Sequence, residues 1–258
     1  LEAGGPDNNM NIHIPGAYIK VHKSKEDWGF WTEKQVNVLN RKIYLPRGKT
    51  LGGSSSTNAM AYVRGNAADY NYWAELGNSG WSYKEILPYF KRSENHAQIN
   101  LMDNGYHSSS GELGVTFPTQ FESPYVKAFI DACSSMGIPK NKDYNGIKQE
   151  GVSLVQSTIK NGKRVSSATA FLKPVLHRSN LKAVLYAQVD KIIIEGKKAV
   201  GVQYTKGSNI SQVFAKKEVI ISAGTFQSPQ LLMLSGIGEA LELKKHGINQ
   251  IHDLKGVG

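Results

Sequence analysis

The run Glu218-Val219-Ile220-Ile221-Ser222, then Ala223-Gly224, then Ser228-Pro229 and Leu231-Leu232-Met233-Leu234, constrains the fold more than any other stretch. A compact apolar run of this kind reads as a buried strand. Glycine permits a tight turn after it, and proline is tolerated in the first turn of the helix beyond. Gly236 or Gly238 ends that helix. Strand, glycine turn and helix in this order is the layout of nucleotide-binding α/β units. A chain of 258 residues has room for one large domain or two small ones, at roughly 100–200 residues each.

Ahead of that unit the chain is β-rich. Leu181–Ala187, Val189–Ile194, Ala199–Tyr204 and Val213–Ile221 are strand-like, with turn signals at Glu195–Lys198 and Lys206–Asn209, so a small meander is expected. Asp27–Thr32 reads as a short strand. Ser82-Tyr83-Lys84-Glu85 is a capping box that starts a helix through Ile86, Leu87, Tyr89 and Phe90. Residues 100–120 are turn-rich. Ser123-Pro124 opens another helix, whose apolar face is Val126, Phe129, Ile130 and Cys133 and which Gly137 ends. A packed core thiol is expected at Cys133 rather than a nucleophile.

Composition excludes several classes. With 40% hydrophobic and 20% charged residues, the chain is neither disordered nor fibrous. The longest apolar runs are short, such as Ala183–Ala187, whereas a membrane-spanning helix needs about 20 apolar residues. A single cysteine makes no internal disulfide and no thiolate metal cluster, so no metal is expected. The net charge of +10 suits an anionic partner, but the lysines are scattered in pairs such as Lys197-Lys198 and Lys216-Lys217. No basic tract is interleaved with aromatics, so nucleic acid is not expected.

Three stretches carry chemistry. Leu1-Glu2-Ala3-Gly4-Gly5 resembles the end of a second Rossmann strand, where an acid accepts hydrogen bonds from ribose hydroxyls. The matching phosphate turn belongs about 20 residues earlier, ahead of Leu1. Pro46-Arg47-Gly48-Lys49-Thr50-Leu51-Gly52-Gly53-Ser54-Ser55-Ser56-Thr57-Asn58 is a glycine and serine loop that lets backbone N–H groups approach a charged or flat ligand. It lacks P-loop spacing, and composition alone slightly favours a tight surface loop. The third is Gly224–Gly238, which taken alone is an ordinary capped helix.

Together, in this order, the three resemble the glucose–methanol–choline (GMC) family of FAD-dependent oxidoreductases. The resemblance runs essentially end to end. Tyr44 to Glu94, with Gly65, Asp69, Trp73, Gly80-Trp81 and Leu87-Pro88-Tyr89-Phe90-Lys91, is similar to the family's first signature and the segment directly after it. Gly224–Gly238 is similar to the second. The style resembles the insect glucose-dehydrogenase-like branch.

The resemblance implies an α/β fold: an incomplete FAD/NAD(P)-binding Rossmann-like domain, an inserted α+β substrate-side segment and a small antiparallel meander. Residues 1–95 and 151–258 would form the two parts of the cofactor domain, and 96–150 the substrate side. Glu2 would bind ribose. Ser54, Asn58, Ala59 and Ala61 would line the flavin and its pyrophosphate, and Val189 would meet the adenine. Some relatives attach FAD through a histidine at the position held here by Thr57, which has no ring nitrogen, so the FAD would be non-covalent. The implied reaction oxidises an alcohol or sugar CH–OH by hydride transfer to flavin, with oxygen or a quinone as acceptor. The family's catalytic histidine and its partner would lie beyond Gly258. None of His13, His22, His96, His107, His177, His246 and His252 matches it, and solvated or capping roles are expected for all seven.

The rival reading is a GMC-like binding or structural protein that has lost catalysis. Both chain ends read as cut, so an incomplete fragment with open apolar faces is expected. Asn209-Ile210-Ser211 is an N-glycosylation sequon, a feature of secreted chains that one Asn-rich sequence also produces by chance.

Overall fold

The computed structural model describes residues 1–103, 105–117 and 123–258. Part of the turn-rich stretch 100–120 therefore lies outside the described residues. The chain divides into two compact units, one of residues 7–181 and one joining residues 1–6 to 182–258. This division is drawn by backbone packing and differs from the three-part functional division expected at 95/96 and 150/151.

In the 7–181 unit, short elements are held by loops. Helix α1 (Met10–His13) runs into a 3-10 turn, and strand β1 (Phe30–Trp31) pairs antiparallel with β2 (Tyr44–Leu45). The strand expected over Asp27–Thr32 is thus only two residues long. Helix α2 (Ala67–Glu75) starts at Asn66, whose side chain accepts from the Ala68 N–H at 2.9 Å. Helix α3 (Tyr83–Ser93) starts at the expected box, with the Glu85 carboxylate accepting from the Ser82 N–H at 3.1 Å. Strands β3 (Glu94–His96) and β4 (Leu113–Val115) pair in parallel. Helix α4 (Pro124–Ser135) begins with proline in its first turn and stops before Gly137, as its residues dictate. Strands β5 (Ile159–Lys160) and β6 (Lys163–Arg164) form a hairpin across Asn161-Gly162, both with positive φ.

The α4 face does not fold as expected. No residue of the helix is fully buried, Phe129 is 65% exposed, and Cys133 is only half-buried. The amphipathic spacing is present, but the described residues of this unit do not cover it, so Cys133 is not a core thiol here.

In the other unit, β7 (Gln188–Glu195), β8 (Lys198–Lys206) and β9 (Asn209–Phe214) make an antiparallel meander with turns at the expected places. The third strand starts directly at the Lys206–Asn209 turn and ends at Phe214, so of the expected Val213–Ile221 only the first two residues are strand. Gly201 lies within β8 because a Cβ there would sit 2.4 Å from the Val213 carbonyl oxygen of β9. Leu181–Ala187 is not a strand. Its backbone bonds instead to the N-terminal segment, Glu2 N–H to Val184 O at 2.9 Å and Ala187 N–H to Glu2 O at 2.9 Å. Glu218–Ser222 is not a strand either, and Ile220 is 77% exposed. A buried parallel strand needs neighbours on both edges, and no described residue supplies one. Helix α5 (Gln227–Leu234) comes after the Ala223-Gly224 turn as expected, then β10 (Ile237–Gly238), α6 (Ala240–Lys245) and β11 (His252–Asp253), which pairs in parallel with β10. Strand-glycine-helix order survives as glycine-helix only. No described helix is long and apolar enough to cross a membrane.

Candidate functional site

The glycine and serine loop folds into a 3-10 turn over Gly53–Ser56, entered through Gly52 at φ +90. It closes against its own stem. A Cβ on Gly48 would lie 2.3 Å from the Gly53 carbonyl oxygen, so no larger residue fits there without moving the loop. The hydroxyls tie the turn inward: Ser56 Oγ donates to Leu51 O at 2.7 Å and Ser55 Oγ to Gly52 O at 2.6 Å, while Gly48 N–H donates to Ser54 Oγ at 3.1 Å.

This sorts the loop into two faces. Ser56, Thr57 and Met60 are buried, whereas Ser54, Asn58, Ala59 and Ala61 are exposed. The residues expected to line the cofactor are the ones left accessible, and two of them are alanines that permit close approach. Thr57 is buried, and its carbonyl lies 3.4 Å from His22 Nε2. Asn58 is the hub. Its N–H donates to Ser54 O at 2.8 Å, and its Oδ1 accepts from Met60 N–H at 3.0 Å and from Arg164 Nη1 at 2.7 Å. Its acceptor is therefore committed within the protein, leaving the amide Nδ2 as the part suited to a ligand acceptor.

Arg164 is not among the residues expected from sequence. It reaches the loop from β6, with Nη2 donating to Asn58 O at 2.7 Å and Nη1 to Ser55 O at 3.1 Å. Asn161-Gly162 is the signal that places it, because that dipeptide fixes a hairpin and so a strand position for Arg164.

Glu2 and Val189 belong to the other compact unit. One Glu2 oxygen accepts from Gly4 N–H at 2.7 Å, and its backbone bonds to Val184 and Ala187 bring it to the start of β7, which holds Val189. The structure thus groups Glu2 with Val189, and Ser54 with Asn58, Ala59 and Ala61.

A second polar cluster is buried in the 7–181 unit. Arg64 Nη2 lies 2.8 Å from Glu94 Oε2; His107 Nδ1 lies 2.9 Å from Glu94 Oε1 and its Nε2 lies 2.9 Å from Asp143 Oδ2. Arg64 Nη2 and His107 Nε2 approach their carboxylates off the hydrogen-bond axis. Burial alone would lower the His107 pKa, but the Asp143 and Glu94 carboxylates beside it raise it above the usual value. His96 packs edge-on against His107, and burial lowers its pKa. Its Nδ1 accepts from Gln98 N–H at 3.1 Å, which leaves the proton on Nε2. The solvated roles expected for His96 and His107 are therefore corrected, since both are buried. Among the described residues no group of three His, Cys, Asp or Glu is placed to hold a metal ion.

The fit to a flavin nucleotide is favourable on three counts: a closed loop with a small-residue face, an outward amide at Asn58, and a buried cation behind it. Comparison with known proteins gives the same class. A family model described as GMC oxidoreductase matches residues 32–253. The oxygen-dependent choline dehydrogenases of Brucella anthropi and Rhizobium etli are each 45% identical over 259 residues, covering 100% of this chain and 46% of their own length. The chain thus spans about half the length of the curated relatives it matches. Pyridoxine 4-oxidase from Mesorbium loti superposes with TM-score 0.92 at 33% identity, over 98% of this chain and 49% of that one. An FAD-dependent oxidoreductase from Chaetomium thermophilum gives TM-score 0.91 at 32% identity, over 100% of this chain and 46% of its own. The chain belongs to the GMC oxidoreductase family, and its fold is the incomplete α/β, Rossmann-like one of that family. The Brucella and Rhizobium relatives are named choline dehydrogenases.

Proposed function

We propose that this chain is the flavin-holding portion of an FAD-dependent oxidoreductase acting on the CH–OH group of a small alcohol or sugar. The observation that supports it most is the sorting of the Gly52–Ala61 loop, with Ser54, Asn58, Ala59 and Ala61 accessible over buried Ser56, Thr57 and Met60. When bound, FAD supplies the hydride acceptor, and oxygen or a quinone reoxidises it. The chain's own residues bind and orient. Asn58 offers its amide N–H₂, Ser54 its hydroxyl, and Ala59 and Ala61 a close apolar floor. Glu2 accepts from ribose hydroxyls, and Val189 meets the adenine through its backbone. Thr57 offers no ring nitrogen, so attachment is non-covalent. Residues 1–95 and 151–258 serve the cofactor and 96–150 the substrate side. No catalytic residue is assigned within the chain: His96 and His107 are locked in the buried cluster, and His13 Nε2 is held 2.7 Å from Asp7 O.

The experiment is visible absorbance of the purified full-length protein, followed by denaturation. The expected result is a yellow solution that releases all its flavin on unfolding and bleaches anaerobically with an alcohol, choline being the first to try. A protein that stays colourless when supplied with FAD would overturn the reading. Flavin that binds but bleaches with no alcohol or sugar would favour the rival binding protein.

A further inference from the structure

Arg164 is only 2% exposed, and its guanidinium donates to Ile12 O at 2.7 Å, Ser55 O at 3.1 Å, Asn58 Oδ1 at 2.7 Å and Asn58 O at 2.7 Å. Every one of these acceptors is neutral. Among the described residues no carboxylate pairs with it. The unit's other buried charges differ: Arg64 meets Glu94 at 2.8 Å, and Asp7 meets Lys173 at 2.7 Å. Burial lowers the Arg164 pKa to about 10, which leaves the group charged at neutral pH. A buried charge without a partner is costly, and bracing three carbonyl oxygens and an amide does not require one. What a fixed, buried cation adds is a field at the accessible face of the loop it braces, least screened once a bound ligand covers that face.

We propose that Arg164 is a positioning residue that supplies a standing positive charge behind Asn58 for an anionic part of the bound flavin nucleotide. The inference rests on the flavin reading above. Two parts of that nucleotide carry negative charge, the pyrophosphate and the reduced ring, and Arg164 serves one of them.

The test uses the full-length protein with FAD affinity, flavin midpoint potential and melting temperature as readouts, on Asn58→Asp, Arg164→Met and Arg164→Lys. Asn58→Asp keeps the Oδ1 acceptor for Met60 and Arg164 and adds the missing counter-charge, so it should melt no lower than wild type. It should nevertheless bind FAD about tenfold more weakly or shift the potential negative, as expected for cancelling one charge at poorly screened range. Arg164→Met should move the same readout in the same direction, with a lower melting temperature, and Arg164→Lys should recover part of it. Weaker FAD binding at unchanged potential assigns the pyrophosphate; a lower potential at near-native affinity assigns the reduced ring. A folded Arg164→Met with wild-type affinity and potential overturns the proposal and leaves Arg164 a brace. If Arg164→Met does not fold, wild-type affinity and potential in Asn58→Asp overturn it equally. Wild-type protein that takes up no FAD removes the flavin reading itself, and this inference with it.

Discussion

At the scale of single residues, the Asn58 side chain decides most. Asn58→Leu has similar volume but removes one of the two acceptors of Arg164 Nη1, leaving it Ser55 O alone, and takes the side-chain acceptor from the Met60 N–H, at about 1–3 kcal/mol. A tenfold to hundredfold loss of flavin affinity is expected, and half-buried Cys133 changed to Ala should leave flavin content and turnover near wild type. Loss of turnover at full flavin content in the Cys133 variant, with Asn58→Leu unaffected, would refute the assignment. The buried cluster makes a pH prediction. The His107 pKa is raised above 6.5 in the folded chain, so its stabilisation is fully present below that value and lost as pH climbs through the folded pKa. Burial would raise the Asp143 pKa, but His107 beside it lowers it from 3.8 to about 2, so its stabilisation is present above 3.8 and lost as pH falls through about 2. The cluster should stabilise most between pH 3.8 and 6.5. His107→Gln should cost about 3 kcal/mol, because it leaves Asp143 buried without its cation, and should remove the alkaline part of the slope. Urea midpoints across pH for both proteins check this; parallel curves would contradict it. The cluster is not visible in local sequence, and for Arg164 the local Asn161-Gly162 turn gives a strand position but not the partners the side chain meets. Positions 64, 94, 107 and 143 meet only through tertiary packing, and a histidine among turn residues reads as solvated until its neighbours are known.

At the scale of elements, what was legible is what is local. The Ser82/Glu85 box, the proline-led start of α4, the glycine stops and the first two meander strands are each set by a few adjacent residues, whereas the third strand follows its partner β8 over Asn209–Phe214 and not the apolar run Val213–Ile221. The two-residue strands β1, β2, β5 and β6 are too short for any period to show. Glu218–Ser222 has the composition of a strand but not the edges that would make it one. The Asn161-Gly162 turn shows how two residues can place a third, Arg164, that composition leaves unremarked. Within the meander, Gly201 gives the sharpest test. A side chain there meets backbone, the Val213 carbonyl at 2.4 Å, which cannot swing away as a side chain would. Gly201→Val should therefore destabilise by about 1–3 kcal/mol even though valine favours strands. Chemical denaturation together with amide exchange on β8 and β9 would show it; unchanged protection in that pair would mean the strands can separate without cost.

At the scale of the whole molecule, many large apolar side chains stay exposed among the described residues. Met136 is 82% exposed, Leu39 87% and Ile220 77%, and the α4 face adds Phe129. Soluble monomers seldom leave large apolar patches open, and a net charge of +10 keeps such a chain in solution without covering them. The relatives are about twice as long, this chain covering 46% of them, so chain of the family's full length has material to cover these faces. The 258-residue chain by itself should therefore enhance the fluorescence of a hydrophobic dye and associate as its concentration rises. The full-length protein should do neither to the same degree. Changing Phe129 and Met136 to Ser should lower the dye signal of the 258-residue chain, since both side chains are exposed on or beside α4. A 258-residue chain that runs as one species at all concentrations, melts cooperatively and leaves the dye dark would show that its exposed apolar residues are scattered rather than gathered into faces awaiting a partner.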